Sequence, residues 1–306
     1  MFGETIKNFN INFNARDVRN VYSSGDLMTG QISFELTKES VINCITLTLK
    51  GKANVAWSTG GPRNRRRRSA KVEYFNFKNV IMMNGDASIQ SKIPPGTHVY
   101  PFTCQIPHGD FPSSFMAYHG QIVYTLVVAF DRPWHLTKAY ETELNFANHT
   151  ILTYELMSPL SGSNGMALCC LWCASGPISM NVRLERKAFL PGEHVKILCE
   201  FSNASSRTAT TKARLLQKQV FYTHNRVCKM IVRQHLASQA GDRVGPHSSD
   251  VHSELTLAVP SNVPFTISNC AILEVSYLIE VRLSVKCFSD LRVLCPIVIC
   301  NLPQDY

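Results

Sequence analysis

Leu168-Cys169-Cys170-Leu171-Trp172-Cys173-Ala174-Ser175-Gly176-Pro177, running on to Leu190-Pro191-Gly192-Glu193, divides the chain. Its first part is apolar and cysteine-rich but too short to cross a bilayer, which takes about 20 apolar residues. Gly176-Pro177 breaks it, because proline fixes its own backbone and biases its predecessor toward extended geometry. Strict alternation follows. Ile178, Met180, Val182 and Leu184 share one face, and Ser179, Asn181, Arg183 and Glu185 the other. That pattern predicts a half-buried strand, ended by the turn chemistry of Pro191-Gly192. The stretch reads as a hinge and the first strand of a second domain.

The segments before it are strands as well. Phe9, Ile11 and Phe13 alternate with asparagines. Ile32, Phe34 and Leu36, then Ile45, Leu47 and Leu49, do the same against polar neighbours. Ser23-Ser24-Gly25-Asp26 is a turn. Gly120 to Phe130 is a long strand closed by Asp131-Arg132-Pro133-Trp134, and Tyr100 to Pro107, with its prolines, suits an edge. A last strand-like piece spans Leu144 to Leu152, and Ser158 to Gly165 reads as a Ser/Gly linker. Ser58 to Ala70, with its arginine run, is expected to be a mobile loop.

Past the divide the same plan restarts. Val195, Ile197, Cys199 and Phe201 form one face, and so do Leu273 to Val285 and Leu255 to Val259. Lys212 to Tyr222 fits helix or strand, and its neighbours favour strand. Ala237 to Asp250 reads as a polar loop. Leu291 to Ile299 closes the chain. The halves correspond in detail: Gly25-Asp26 to Gly192-Glu193, Ile106-Pro107 to Val259-Pro260, Tyr124 to Tyr277. From Gly25 to Ile106 is 81 residues, from Gly192 to Val259 only 67. The arginine-rich segment is about the size of the difference, so it reads as an insertion in one copy. The prediction is all-β: two tandem immunoglobulin-like β-sandwiches, residues 1–158 and 177–306, with a linker or hinge over 159–176.

Composition narrows the function. The 306 residues are 45% hydrophobic and 17% charged, ordinary for a globular chain. Net charge is +9, which favours acidic partners: phosphorylated peptides, anionic lipid or nucleic acid. The N-terminus has no signal-peptide character. The 11 cysteines are therefore expected to be reduced, most of them buried in strands, and the sequons at Asn148 and Asn203 carry no weight. There is no Gly-X-Ser-X-Gly, no His-Glu-X-X-His and no phosphate-cradling glycine loop, so an enzyme is not expected. Neither is a cofactor.

The motifs, taken in order, resemble the α-arrestin, or arrestin domain-containing, family. They are Val21-Tyr22-Ser23-Ser24-Gly25-Asp26, Leu49-Lys50-Gly51 with Trp57, Gly96-Thr97-His98-Val99-Tyr100-Pro101-Phe102 and Phe111-Pro112-Ser113-Ser114-Phe115. Gly120-Gln121-Ile122-Val123-Tyr124 and Arg132-Pro133-Trp134 follow. The second half adds Ser175-Gly176-Pro177-Ile178, Pro191-Gly192-Glu193, Asn203-Ala204-Ser205-Ser206-Arg207 and Pro296-Ile297-Val298-Ile299. The resemblance implies the arrestin arrangement of two curved sandwiches. It also implies a cytoplasmic adaptor at the plasma membrane or endosomes, binding cytoplasmic regions of receptors or transporters for endocytosis, sorting or transport. In many members a tail with Pro-Pro-X-Tyr recruits WW-domain ubiquitin ligases. Here Pro94-Pro95 is followed by Gly96-Thr97, and no such motif occurs. Either this member does without direct ligase recruitment or the tail lies outside this chain.

Candidate contact residues follow. Arg63, Arg65, Arg66, Arg67 and Arg68 suit phosphate on a peptide or a lipid surface, against the plainer alternative of a solvated loop. Ser69 behind them is a candidate phosphorylation site. Lys7, Arg16 and Arg19 flank the first strand, where the resemblance implies contact with phosphorylated tails. Cys169 and Cys170 are candidates for S-acylation, against buried interdomain packing. No metal is expected there, since Cys170-Leu171-Trp172-Cys173 lacks a second ligand pair. Rival readings are a soluble interaction scaffold without membrane cargo and a nucleic-acid module. The latter wants aromatics among the basic residues, and the first are Tyr74 and Phe75, so no nucleic acid is expected.

Overall fold

The computed structural model describes residues 5–14, 21–84, 92–151, 153–170, 173–286 and 288–301, with only the backbone for those between 168 and 175. It is built almost wholly of strands and falls into two compact units. The first runs to Asn148 and takes in Tyr222–Val227 and Asn269–Ile272, and the second holds the rest.

The first unit contains β1 (Ile6–Phe13), β2 (Val21–Tyr22), β3 (Leu27–Leu36), β4 (Cys44–Thr59), β5 (Arg66–Met83), β6 (Gly96–Gln105), β7 (Phe115–Ala117), β8 (Gly120–Asp131) and β9 (Lys138–Phe146). A three-stranded sheet is ordered β1-β3-β6, and a six-stranded one β2-β9-β8-β4-β5 with β7 beside β8. Alternation explains the layers, because successive side chains on a strand point to opposite faces. Ile122, Tyr124, Leu126, Val128 and Phe130 are all buried, as are Ile32, Phe34 and Leu36. The sheets meet through aromatic pairs: Phe34 lies edge-on to Phe130 at 4.9 Å, and Phe9 stacks on Tyr140 at 3.8 Å. Pro101 sits on β6 at the sheet's edge, where its missing N–H costs nothing.

The second unit opens with a short helix, α1 (Tyr154–Met157), capped by the Thr153 side chain. Its strands are β10 (Leu160–Cys170), β11 (Cys173–Leu184), β12 (Ala188–Phe189), β13 (His194–Asn203), β14 (Ala209–Tyr222), β15 (Lys229–Val244), β16 (Ser248–Ala258), β17 (Leu273–Val285) and β18 (Leu291–Ile299). One sheet is ordered β10-β11-β13-β16, the other β12-β18-β17-β14-β15. The predicted row Ile178, Met180, Val182 and Leu184 is buried, and so is every odd-numbered residue from Leu273 to Val285.

The internal repeat holds at atomic detail. Gly25 and Gly192 both take left-handed backbone, φ +81° and +87°, which only glycine adopts without strain. The acid after each accepts from the backbone N–H three residues earlier: Asp26 from Ser23 at 2.8 Å, Glu193 from Leu190 at 2.7 Å. Ile106 N–H donates to Asp26 O, and Val259 N–H to Glu193 O, both at 2.8 Å. Two-residue parallel pairs recur as well, β2 with β9 and β12 with β18. Tyr124 donates to Pro112 O at 2.6 Å, and Tyr277 to Pro264 O at 2.5 Å.

Four expectations need correction. The Ser/Gly segment placed in a 159–176 linker is mostly strand β10, paired one-to-one with β11 from Leu160↔Leu184 to Ala167↔Pro177. Polar edge strands satisfy their backbones through one neighbour and show no alternation, so composition misleads there. Ala237 to Asp250 is not a loop but the ends of β15 and β16 around a short turn. The arginine segment is a hairpin, β4 continuing to Thr59 and β5 starting at Arg66. Finally, β9 begins at Lys138 and ends at Phe146, earlier than the predicted strand at Leu144 to Leu152.

Candidate functional site

The most basic feature of the sequence lies at the tip of the β4–β5 hairpin. Thr59 pairs with Arg66, Ser58 with Arg67, Trp57 with Arg68 and Ala56 with Ser69. The hairpin is anchored by buried Trp57 and Ala70. Gly60 to Arg65 close it, with Asn64 N–H donating to Gly61 O at 3.0 Å. Arg63 and Arg65 are exposed in this turn. Pleating sends the strand arginines both ways. Arg67, Ser69 and Lys71 share one face and are exposed, while Arg68 lies half-buried in register with Trp57, its Nε without a hydrogen-bond partner. Among the described residues none of Arg63 or Arg65–Arg68 has an ion-pair partner. The positive charge at this tip is therefore unpaired among the described residues. At close range guanidinium forks favour carboxylate or phosphate.

Beside the tip an open groove of about 420 Å³ is lined by Arg67, Ser69, Lys71, Asn54, Tyr118 and His119, among others. Tyr118 projects almost fully into solvent, at 95% exposure, and its ring meets His119 edge-on at 4.8 Å. Nothing in the run of arginines pointed to Asn54, Tyr118 or His119, which arrive from β4 and the β7–β8 turn through register. Lys71 was within reach of sequence reasoning, since it follows Arg67 and Ser69 at the strand period.

The remaining candidates fall elsewhere. Lys7 is exposed on β1, in register with Glu35 on the three-stranded sheet, so it does not join the hairpin arginines on the six-stranded sheet. Arg16 and Arg19 lie outside the described residues, as do the side chains of Cys169 and Cys170. Cys170 pairs with Cys173 in the β10–β11 register. Ser69 is exposed. Cys104, Cys199, Cys270, Cys295 and Cys300 are free and buried, with Cys44 and Cys228 partly exposed. Burial pushes the Cys199 thiol up to about 12, helped by the nearby Cys295, and burial pushes Cys295 up to about 11. Such thiols stay protonated and unreactive at neutral pH. Among the described residues no group of three His, Cys, Asp or Glu side chains could hold a metal, and no helix is long and apolar enough to cross a membrane.

Two repeated sandwiches, each carrying a Gly-acid turn and locked by a tyrosine reaching a proline carbonyl, define a two-domain arrestin fold. The arrestin N-terminal domain family matches residues 9–152, and the arrestin C-terminal domain family residues 174–304. The chain belongs to the arrestin family, in its α-arrestin group. It is similar to arrestin domain-containing protein 4 of Mus musculus, 28% identical over 291 residues, covering 93% of this chain and 69% of that protein. The Homo sapiens counterpart is 27% identical over 294 residues, with 93% and 69% covered. Thioredoxin-interacting protein of Homo sapiens is 25% identical over 301 residues, with 96% and 74% covered.

Proposed function

We propose that this protein is a non-enzymatic adaptor that binds cytoplasmic regions of membrane receptors or transporters and promotes their endocytosis, sorting or transport. Membership of the arrestin family supports adaptor work. The observation that carries the finer reading is the arginine tip of the β4–β5 hairpin, unpaired among the described residues, with the Arg67–Lys71 groove beside it. Acidic or phosphorylated cytoplasmic segments are its natural complement, and an anionic lipid surface would strengthen the encounter by long-range attraction. In this reading the protein works at the cytosolic face of the plasma membrane or endosomes. The open edge of β5 offers a further route, strand addition by a peptide. Phosphorylation of the exposed Ser69 would place negative charge among the arginines and weaken the contact. The 306 residues contain no Pro-Pro-X-Tyr, so a link to ubiquitination would run through another segment or a partner.

Proximity labelling in cells tests the proposal. The parent should enrich receptors, transporters and endosomal proteins. A variant with Arg65, Arg66 and Arg67 replaced by Ala should lose most of that set. Neighbours confined to soluble proteins would favour a scaffold without membrane cargo and sink the adaptor reading.

A further inference from the structure

The outer face of the β14-β17-β18 sheet carries a second charged feature, unrelated to the hairpin. Glu280 is 5% exposed, a carboxylate that burial would penalise severely without partners. Arg282 supplies them, its Nη2 lying 3.2 Å from Glu280 Oε2 and its Nη1 2.8 Å from Asp290 Oδ2. Two more guanidinium groups surround the same carboxylate at longer range, Arg292 Nη1 at 3.7 Å and Arg214 Nη1 at 3.9 Å. Those distances give Coulombic attraction but no hydrogen bond. Among the described residues the Arg214 and Arg292 guanidinium groups make no hydrogen bond at all. Lys212 stands in register with Arg282, and Arg282 with Arg292. Four cations thus face two carboxylates, more than structural compensation of Glu280 requires.

Register places an apolar row next to this surplus. Arg214, Glu280 and Leu294 align across the three strands, and the next row is Leu216, Leu278 and Pro296. Leu294 is 55% exposed, and the Arg292 side chain 52%. Glu274, the other carboxylate of this face, lies farther along β17 in register with Val220, beyond Lys218.

We infer that this face docks an acidic peptide segment, with a carboxylate on Arg292 and Arg214 and an apolar side chain two residues on against Leu216, Leu278 and Pro296. The rows repeat every second residue, about 6.8 Å along a strand, which is also the spacing of alternate side chains in an extended peptide. Guanidinium forks that hold Glu280 and Asp290 only at 3.7–3.9 Å, without a hydrogen bond, match a further carboxylate, and the apolar row asks for side chains that a headgroup alone does not bring. This surface is independent of the adaptor reading and of the hairpin that carries it.

The test uses the whole chain and a fluorescein-labelled peptide, Gly-Ser-Glu-Ser-Glu-Ser-Leu-Ser-Leu-Gly, followed by polarisation. Its Gln-for-Glu counterpart should bind roughly tenfold more weakly or worse, the loss of a charge-assisted hydrogen bond. Both Arg292→Ala and Leu294→Ser lie on exposed positions and should keep the parent's thermal midpoint while weakening the Glu peptide several-fold, about tenfold together. The exposed Lys92→Ala, which belongs to neither this face nor the hairpin tip, should bind it as the parent does. Equal affinity for the Glu and Gln peptides, or binding indifferent to Arg292→Ala, would overturn the inference. So would a peptide that fails to bind while phosphatidylserine vesicles bind in an Arg292-dependent manner, which would reassign the face to membrane.

Discussion

Asn203 holds together the turn that links the two sheets of the second unit, and replacing it measures how much a buried polar clip is worth here. The residue is 0% exposed. Its Nδ2 donates to Arg207 O and Gly245 O, each at 2.7 Å, and lies 3.4 Å from Val244 O. Its Oδ1 accepts from Ser205 Oγ at 2.6 Å and from Ser205 N at 3.2 Å. Asn203→Ala orphans the buried N–H of Ser205, takes the acceptor from its hydroxyl, and removes one donor each from Arg207 O and Gly245 O, which keep Ser205 Oγ at 3.4 Å and Ser248 Oγ at 2.8 Å. The carbonyls of Arg207 and Gly245 are near the surface and recover water, whereas Ser205 is fully buried. An orphaned buried group costs about 1–3 kcal/mol, and the lost direct bonds add about 1 kcal/mol each, so the expected loss is roughly 3–5 kcal/mol. Guanidinium unfolding followed by circular dichroism, with calorimetry to separate the transition of the second unit, gives the number. The exposed neighbour Ser206→Ala should stay within about 0.5 kcal/mol. Asn203→Asp should cost more at about pH 7 than at about pH 4, because an ionised carboxylate faces two carbonyls there and a protonated one can donate to them. A loss below about 1 kcal/mol for Asn203→Ala would refute the claim that this side chain clips the turn.

Other outcomes follow from the two copies and from the thiols. Gly192→Ala meets open space, with Ser261 Cβ 3.9 Å away, and should cost only the left-handed strain, about 1–2 kcal/mol. Gly25→Ala carries the same strain, and the exposed His108 ring that its Cβ would meet can turn aside, so it should cost a similar amount. Mass-spectrometric footprinting with iodoacetamide should modify Cys44 and Cys228 before Cys199, Cys295 or Cys300 in the native protein, and lose that order on unfolding. The folded thiols of Cys199 and Cys295 ionise near 12 and 11, while an unfolded thiol does so near 8.5. Their contribution to stability is therefore whole below about pH 8.5 and lost as pH rises through 11–12, which equilibrium unfolding across that window checks.

The interior of this protein was legible and its surface was not. Wherever one face of a strand is buried, as in Leu273 to Val285 or Ile178 to Leu184, alternation declares it. The duplication was legible too, since left-handed glycine followed by an acid leaves the same letters at Gly25-Asp26 and Gly192-Glu193. Edge strands were missed. Residues 160–167 and Lys229–Val244 bury little on either face, so their period-2 signal vanishes and serine, glycine and charge read as loop. The arginine tip declared itself by density alone. The rest of its groove did not, because Asn54, Tyr118 and His119 meet the arginine strand only through register. Arg214, Glu280 and Arg292 lie on three separate strands, and pairing distances of 66 and 12 residues between them leave no local signature.

The central claim is that the hairpin tip meets the cytoplasmic parts of membrane proteins. Its most direct test is photo-crosslinking from the tip, with benzoylphenylalanine in place of Tyr118 or Arg65, in intact cells followed by peptide sequencing. The account predicts crosslinked peptides from cytosolic segments of receptors or transporters, enriched in acidic or phosphorylated residues, and fewer of them when Arg66 and Arg67 are replaced by Ala. Crosslinks only to soluble proteins, or a membrane-protein set indifferent to those arginines, would contradict it.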